Sequence, residues 1–512
     1  MSLKDACLRR GWLVPLTLGL FVDNVRGTPV RSAAVIAAVV WGSAVLLKNR
    51  RRPPLSFAAL VFPLWCLAGI FYSVWLTNTL NELTLLFAAS ALAVAAPLVF
   101  ADSPEEKIFF SRALVLLGLV RAAVSIFIPP SGGRFLLDPG QWGVSNYSAV
   151  PMFLVLGLVA GRSLEGRTWR VAWSALLAAT LWLGLRWNAM SALLGLAAGL
   201  PLEYAFRRRN LKLFAAAGIV GIAVLALLFS SSAPKRLRYN PDDPNRMERI
   251  AIWYDSLACG ADRPVAGTAL GVYEEYFPRY KSLVGGRTAN FAHNEWIQLF
   301  CETGLIGLGL GIFLLRGLFY RIRRVGWDFP GAATGLVLIL LWSQIYFVFR
   351  FDGVLFAGAL FTAFFSPPVF APLGKIGRAA VLVFLGLTVA VSVGQGGAQI
   401  IEKWGGVAWD RGVAATALRR FQIASRWNPL DPRLLDHQVE CLRRLNRKEE
   451  TLPLLEKSLA LKPRDVWIRR KLAVARLNLV GVDAARDTYR PILDLAPNVG
   501  QFRREYEDLS KG

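Results

Sequence analysis

Residues 291–315 read FAHNEWIQLFCETGLIGLGLGIFLL. A polar box, Ala292-His293-Asn294-Glu295, runs directly into an apolar stretch. That stretch predicts a membrane helix beginning just after His293. Asn294, Gln298 and Glu302 recur at i, i+4 and i+8 and so share one helix face. Polar groups at membrane depth need a partner or a wet cavity. Gly304, Gly307, Gly309 and Gly311 would let neighbouring helices approach closely. The chain has only 2 histidines. Taken alone, His293 at the mouth of such a helix reads as an interfacial residue held by a hydrogen bond.

The same apolar character extends through most of the chain. Of 512 residues 54% are hydrophobic and only 18% charged, against about 25% charged in soluble domains. Apolar runs long enough to cross a hydrocarbon core of roughly 30 Å recur. We place them near 12–25, 30–47, 55–76, 80–100, 108–128, 147–161, 169–186, 188–206, 212–230, 295–315, 331–348, 354–371 and 378–397. The first is short and contains Pro15; it reads as an uncleaved segment, because no small-residue cleavage site follows. The expected class is an all-α polytopic membrane protein of about 12–13 helices, followed by a soluble helical domain.

The formal charge of +24 does not indicate nucleic acid. Lys and Arg cluster in loops that fall on one side if crossings alternate: 48–52, Arg162 with Arg167 and Arg170, 207–209, 321–324, and Lys375 with Arg378. That side is the cytoplasm. Arg26, Arg31 and the acidic loop ADSPEEK fit this less well. The gaps near 129–146, around Arg186, 231–294 and 349–353, and everything after about 398, then face outward. The 5 cysteines show no metal-type spacing and read as unpaired. A Cys259–Cys441 bridge would need both outside the cytoplasm.

Two outward regions stand apart. The loop 231–294 is long and rich in Trp, Tyr and Phe, so it should fold against the membrane domain, 1–398. The tail, 399–512, carries Pro429, Pro463 and Pro497 at intervals of 34 residues. Phe421, Leu455 and Tyr489 precede them by eight, Ala424, Ser458 and Ile492 by five, and Ala417, Thr451 and Ala485 by twelve. That register resembles the tetratricopeptide repeat. Such repeats stack into concave partner-binding surfaces, or serve as spacers. His437 lies here and reads as a surface residue.

Three outward arginines accompany His293. Arg186 ends the run LWLGLRWNAM; Arg246 and Arg249 are three apart in PNRMERIAIWYDS, which reads as a short helix. Singly, Arg186 reads as a snorkelling anchor, and the other two as a solvated face with Glu248 and Asp255 as partners. Together they suit one chemistry. Guanidinium groups grip phosphate oxygens through paired donors, so they would hold a pyrophosphate at the membrane surface. A neutral imidazole would accept a proton from an attacking hydroxyl. No cofactor is expected, and no cluster of acids and histidines with metal-ligand spacing appears in the outer loops.

The His293 stretch resembles the signature of the O-antigen ligase and O-antigen polymerase superfamily. That signature is His, then Asn, Ser or Gln, nine residues, Gly, two residues, and Gly, Thr or Tyr. Here it reads His293-Asn294, nine residues, Gly304, Leu305-Ile306 and Gly307. Arg249 and Trp253, followed by Pro264, Gly267 and Gly271 with Ala269 in place of one glycine, resemble the family's loop helix and turn. LGLRWNAM resembles its Ser-Arg-Gly, with Leu185 and Trp187 replacing the small neighbours; Asn146 and Ala149 resemble its Asn-x-x-Ala.

The resemblance implies a GT-C-type fold in the bacterial inner membrane. It implies metal-independent transfer of a glycan from an undecaprenyl-pyrophosphate carrier to a lipid or glycan acceptor at the periplasmic face. Arg186 and Arg249 would hold the diphosphate, with Arg246 added from its spacing, and His293 would activate the acceptor. Asn294, Asn146 and Asp352 would support them, Asp352 by orienting a basic partner. The same motifs serve a ligase, a polymerase and a protein-glycosylating ligase. A lipid-linked glycan transporter would use the arginines for binding only, and an inactive assembly protein would use the tail alone.

Overall fold

The computed structural model describes residues 3–20, 29–53, 57–100, 103–127, 146–187, 189–210, 212, 213, 216, 219, 244–282, 289–366 and 370–511. The described residues are 81% helical, in keeping with the all-α expectation. The described helices begin with α1 Leu3–Arg10, α2 Leu13–Leu20, α3 Pro29–Asn49, α4 Phe57–Ala68, α5 Leu76–Ala95, α6 Pro97–Phe100, α7 Pro104–Phe127, α8 Asn146–Gly161, α9 Arg167–Arg186 and α10 Met190–Arg207. They continue with α11 Pro244–Asp262, α12 Tyr273–Tyr280, α13 Glu295–Val325, α14 Pro330–Trp342, α15 Asp352–Thr362 and α16 Lys375–Asp410. The tail supplies α17 Ala414–Trp427, α18 Pro432–Arg444, α19 Thr451–Leu461, α20 Val466–Leu479, α21 Val482–Tyr489, α22 Pro491–Leu495 and α23 Gly500–Lys511.

Among the described residues, five helices are long and apolar enough to cross a membrane: Pro29–Asn49, Leu76–Phe100, Pro104–Phe127, Glu295–Val325 and Lys375–Asp410. Val61–Phe71, Ala149–Gly161, Pro330–Trp342 and Asp352–Phe365 are apolar but shorter. The segment expected at 169–186 forms a helix, α9, that carries Arg167, Arg170 and Arg186 within its 20 residues. Most of the segment expected at 212–230 lies outside the described residues. Ile312 and Phe313 on α13, and Val383 and Leu387 on α16, are all more than half exposed. Apolar side chains tolerate that where the surrounding solvent is hydrocarbon.

The chain divides into two compact units. The first comprises Met1–Ala59, Leu85–Asp242 and Ile312–Val389. Trp12 is fully buried at its centre, with its ring 5.2–6.1 Å from those of Phe100, Phe109 and Phe110. Glycines allow tight crossings here: a Cβ on Gly42 would meet Ala91 at 2.9 Å, and one on Gly195 would meet the Trp342 ring at 2.4 Å.

The second unit comprises Leu60–Thr84, Asp243–Gly311 and Ala390–Gly512. Its tail is a run of helices in which each packs against the next. The nine residues that precede the prolines in the 34-residue register are buried: Ala417, Thr451 and Ala485; Phe421, Leu455 and Tyr489; Ala424, Ser458 and Ile492; Pro429, Pro463 and Pro497 themselves are exposed. Asp431 and Asp465 cap α18 and α20, each accepting from the backbone N–H two residues on. His437 is stacked on Phe421 at 4.8 Å, with Nε2 3.2 Å from Glu402.

Candidate active site

The site starts from a break in α13. Gly304 has φ 65 and ψ −169, so the helix is interrupted there. The interruption frees backbone groups that a helix would otherwise use, and the turn at 264–269 takes them up. Leu305 N donates to Pro264 O at 2.7 Å, Thr268 N to Cys301 O at 2.9 Å, and Ala269 N to Glu302 O at 2.9 Å. A Cβ on Gly304 would lie 2.2 Å from Val265 O, and one on Gly267 2.5 Å from the Glu302 carbonyl carbon. Glycine is needed at both for close backbone approach and for positive φ. Ala269 holds φ 88, a conformation unfavourable to any residue with a Cβ.

The four glycines of α13 thus do different work from that expected. A Cβ on Gly309 would meet nothing within 4 Å, and those on Gly307 and Gly311 would meet side chains of the same helix. Among the described residues, only Gly304 of these four accommodates another element, and that element is a loop.

The polar face of α13 holds the residues before it. Asn294 Oδ1 accepts from Trp296 N at 3.0 Å and Ile297 N at 3.2 Å, capping the helix. Gln298, buried, accepts from Ala292 N at 3.1 Å and donates to buried Glu302 at 3.0 Å. His293 is therefore pinned on both sides, by the Gln298 bond to Ala292 and by the Asn294 cap. Its backbone sits at φ 53, a strained setting of the kind that clusters at functional sites.

Arg249 lies on α11, which packs against the same helix: a Cβ on Gly260 would meet the Phe300 ring at 2.4 Å. The His293 imidazole is driven from its ordinary 6.5 down to about 4, chiefly by burial and further by the Arg249 charge. Arg249 and His293 are thus electrostatic neighbours. Asp255 accepts from Ser282 N at 2.9 Å and Ser282 Oγ at 3.2 Å.

Arg186 is the exposed last residue of α9, in the first unit. Arg246 lies on α11 and Asn146 opens α8; the side chains of both lie outside the described residues. Asp352 opens α15 in the first unit, fully buried, with Oδ1 3.1 Å from Arg31 Nη2. Arg31, which fits the charge rule poorly, is the basic group beside it. The cysteines are free.

Residues 152–312 match the family model described as O-Antigen ligase. The match spans Arg186, Arg246, Arg249, His293 and Asn294, and stops short of Asn146, Asp352 and the tail. No curated protein gives a match. The apolar helices and the family match together mark a multi-pass membrane protein. They support a ligase-like role in glycan transfer in general, with the lipid-linked glycan and membrane context that such a role implies.

Proposed function

We propose that the protein transfers a glycan from an undecaprenyl-pyrophosphate carrier to a hydroxyl of lipopolysaccharide core, or a comparable acceptor, at the periplasmic face of the inner membrane. The observation that carries this reading is the neutral His293 imidazole held beside Arg249 on a strained turn. The acceptor hydroxyl gives its proton to His293, and its oxygen attacks the anomeric carbon. The bond from that carbon to the pyrophosphate oxygen breaks. Arg249, with Arg186 and Arg246, takes the charge of the departing undecaprenyl pyrophosphate. These arginines supply the cationic stabilisation, so the step is proposed to run without metal.

The low basicity of His293 before donor binding fits this sequence. A bound diphosphate opposes the Arg249 charge and so raises the imidazole's proton affinity when the acceptor must be activated. Residues 1–398 form the transferase domain in this reading, with 231–294 as its periplasmic loop. The tail, 399–512, is a periplasmic tetratricopeptide-like array open to a protein partner, a reading supported by the buried 34-residue register.

Glycan profiling after deletion of the encoding sequence tests the function. Lipid core that loses all attached chains is the expected result. Core carrying single repeat units would make the protein a polymerase, and an unchanged profile would refute both.

A further inference from the structure

The tail is fastened to the loop that carries the candidate site. Within the second unit, Lys462 Nζ lies 2.8 Å from the Glu275 carboxylate of α12, with side chains only 13% and 5% exposed. The same Nζ is 2.8 Å from Asp465 and 4.0 Å above the Trp75 ring. Arg464 lies 4.1 Å over the Tyr276 ring, and its Nε donates to Glu275 O at 3.2 Å. Asn498 donates to Lys281 O at 2.5 Å.

Helix α12 also packs toward the site. Tyr273, Tyr276 and Phe277 share one buried cluster with Cys259 of α11, Cys301 of α13 and Ala292, the residue before His293. Tyr273 Oη is 2.6 Å from Ser256 Oγ, two turns along α11 from Arg249. Helix α12 is therefore a layer between the tail and the two elements that carry Arg249 and His293. It is eight residues long and contains Pro278. So short a helix has little stability of its own and depends on what packs against it.

We propose that Lys462 is a positioning residue for glycan transfer: by clamping α12, the tail holds the His293 turn and the Arg249 helix in their reactive arrangement. The proposal rests on the roles given to His293 and Arg249 above. The physical reason is the buried carboxylate. Removing one member of a buried ion pair leaves a charge that must be neutralised or moved toward water, whereas removing both is tolerated. Movement of α12 displaces the cluster that contains Ala292, and small misplacements of catalytic groups are costly to rate.

The test uses the full-length protein, with undecaprenyl-pyrophosphate-linked glycan as donor and lipopolysaccharide core as acceptor. Lys462→Met should lower kcat about tenfold or more while the donor KM stays within about twofold. Lys462→Arg should retain most of kcat, and Glu275→Gln combined with Lys462→Met should recover much of it. Backbone hydrogen exchange at 289–294 should quicken in Lys462→Met alone. Lys471→Met, which breaks pairs with Asp436 and Glu440 inside the tail, should leave kcat unchanged.

An unchanged kcat in Lys462→Met overturns the proposal, whatever exchange shows. An equal loss in Lys471→Met also overturns it, because the effect would then be general disruption of the tail. Full transfer by His293→Ala would instead remove the functional reading, and the exchange result would still decide whether the tail steadies the turn.

Discussion

Replacing Gly304 by alanine strikes the feature from which the candidate site is built. The residue sits at φ 65, ψ −169, a region open to little but glycine, and holding a residue with a Cβ there costs on the order of 1–3 kcal/mol. The new Cβ would stand 2.2 Å from Val265 O and 2.4 Å from its carbonyl carbon. Both are backbone atoms, so no rotamer change relieves the clash. The turn must retreat, and with it go the bonds from Leu305 N to Pro264 O, Thr268 N to Cys301 O and Ala269 N to Glu302 O. At about 1 kcal/mol each, the full loss with the backbone strain comes to roughly 4–6 kcal/mol. Thermal unfolding of the detergent-purified protein measures it, and the midpoint should fall by about 5 °C or more. Gly309→Ala is the control: its Cβ meets nothing within 4 Å, and alanine in a helix should be neutral or stabilising by about 0.5–1 kcal/mol. A Gly304→Ala midpoint equal to that of Gly309→Ala would refute the assignment of Gly304 as the seat of the 264–269 turn.

Two further outcomes follow from the charges. Arg249→Lys should lower kcat/KM by about tenfold or more, because a point charge cannot reproduce paired donors; native values in steady-state transfer would remove pyrophosphate binding from Arg249. The pH profile carries a sign. His293 must be neutral to accept a proton, and in the free protein it protonates only near 4. The acid limb of kcat/KM should therefore lie near pH 4, and the limb of kcat, which reports the donor complex, at higher pH. A kcat/KM limb at the ordinary 6.5 would contradict the placement of a half-buried His293 beside the Arg249 charge.

Much of this arrangement was legible in the chain, because it is local. The apolar runs marked α3, α7, α13 and α16. The i, i+4, i+8 spacing placed Asn294, Gln298 and Glu302 on the face that secures the residues flanking His293. The prolines at intervals of 34 marked positions that prove buried in the tail. What could not be read was non-local. Nothing near Gly304 announces that its partner is Val265, and the glycines looked like a helix-packing surface because spacing alone cannot distinguish a neighbouring helix from a turn. Arg31 fits the charge rule poorly because its partner, Asp352, is more than 300 residues away in sequence. Lys462 and Glu275 lie in segments with no shared pattern, and a repeat register describes only its own stacking.

The most direct test of the account is transfer by purified His293→Ala, with donor binding measured on the same sample. Transfer should fall by about 100-fold or more, while binding of undecaprenyl-pyrophosphate-linked glycan stays near the native level. Transfer close to native in that variant would contradict the claim that this imidazole activates the acceptor.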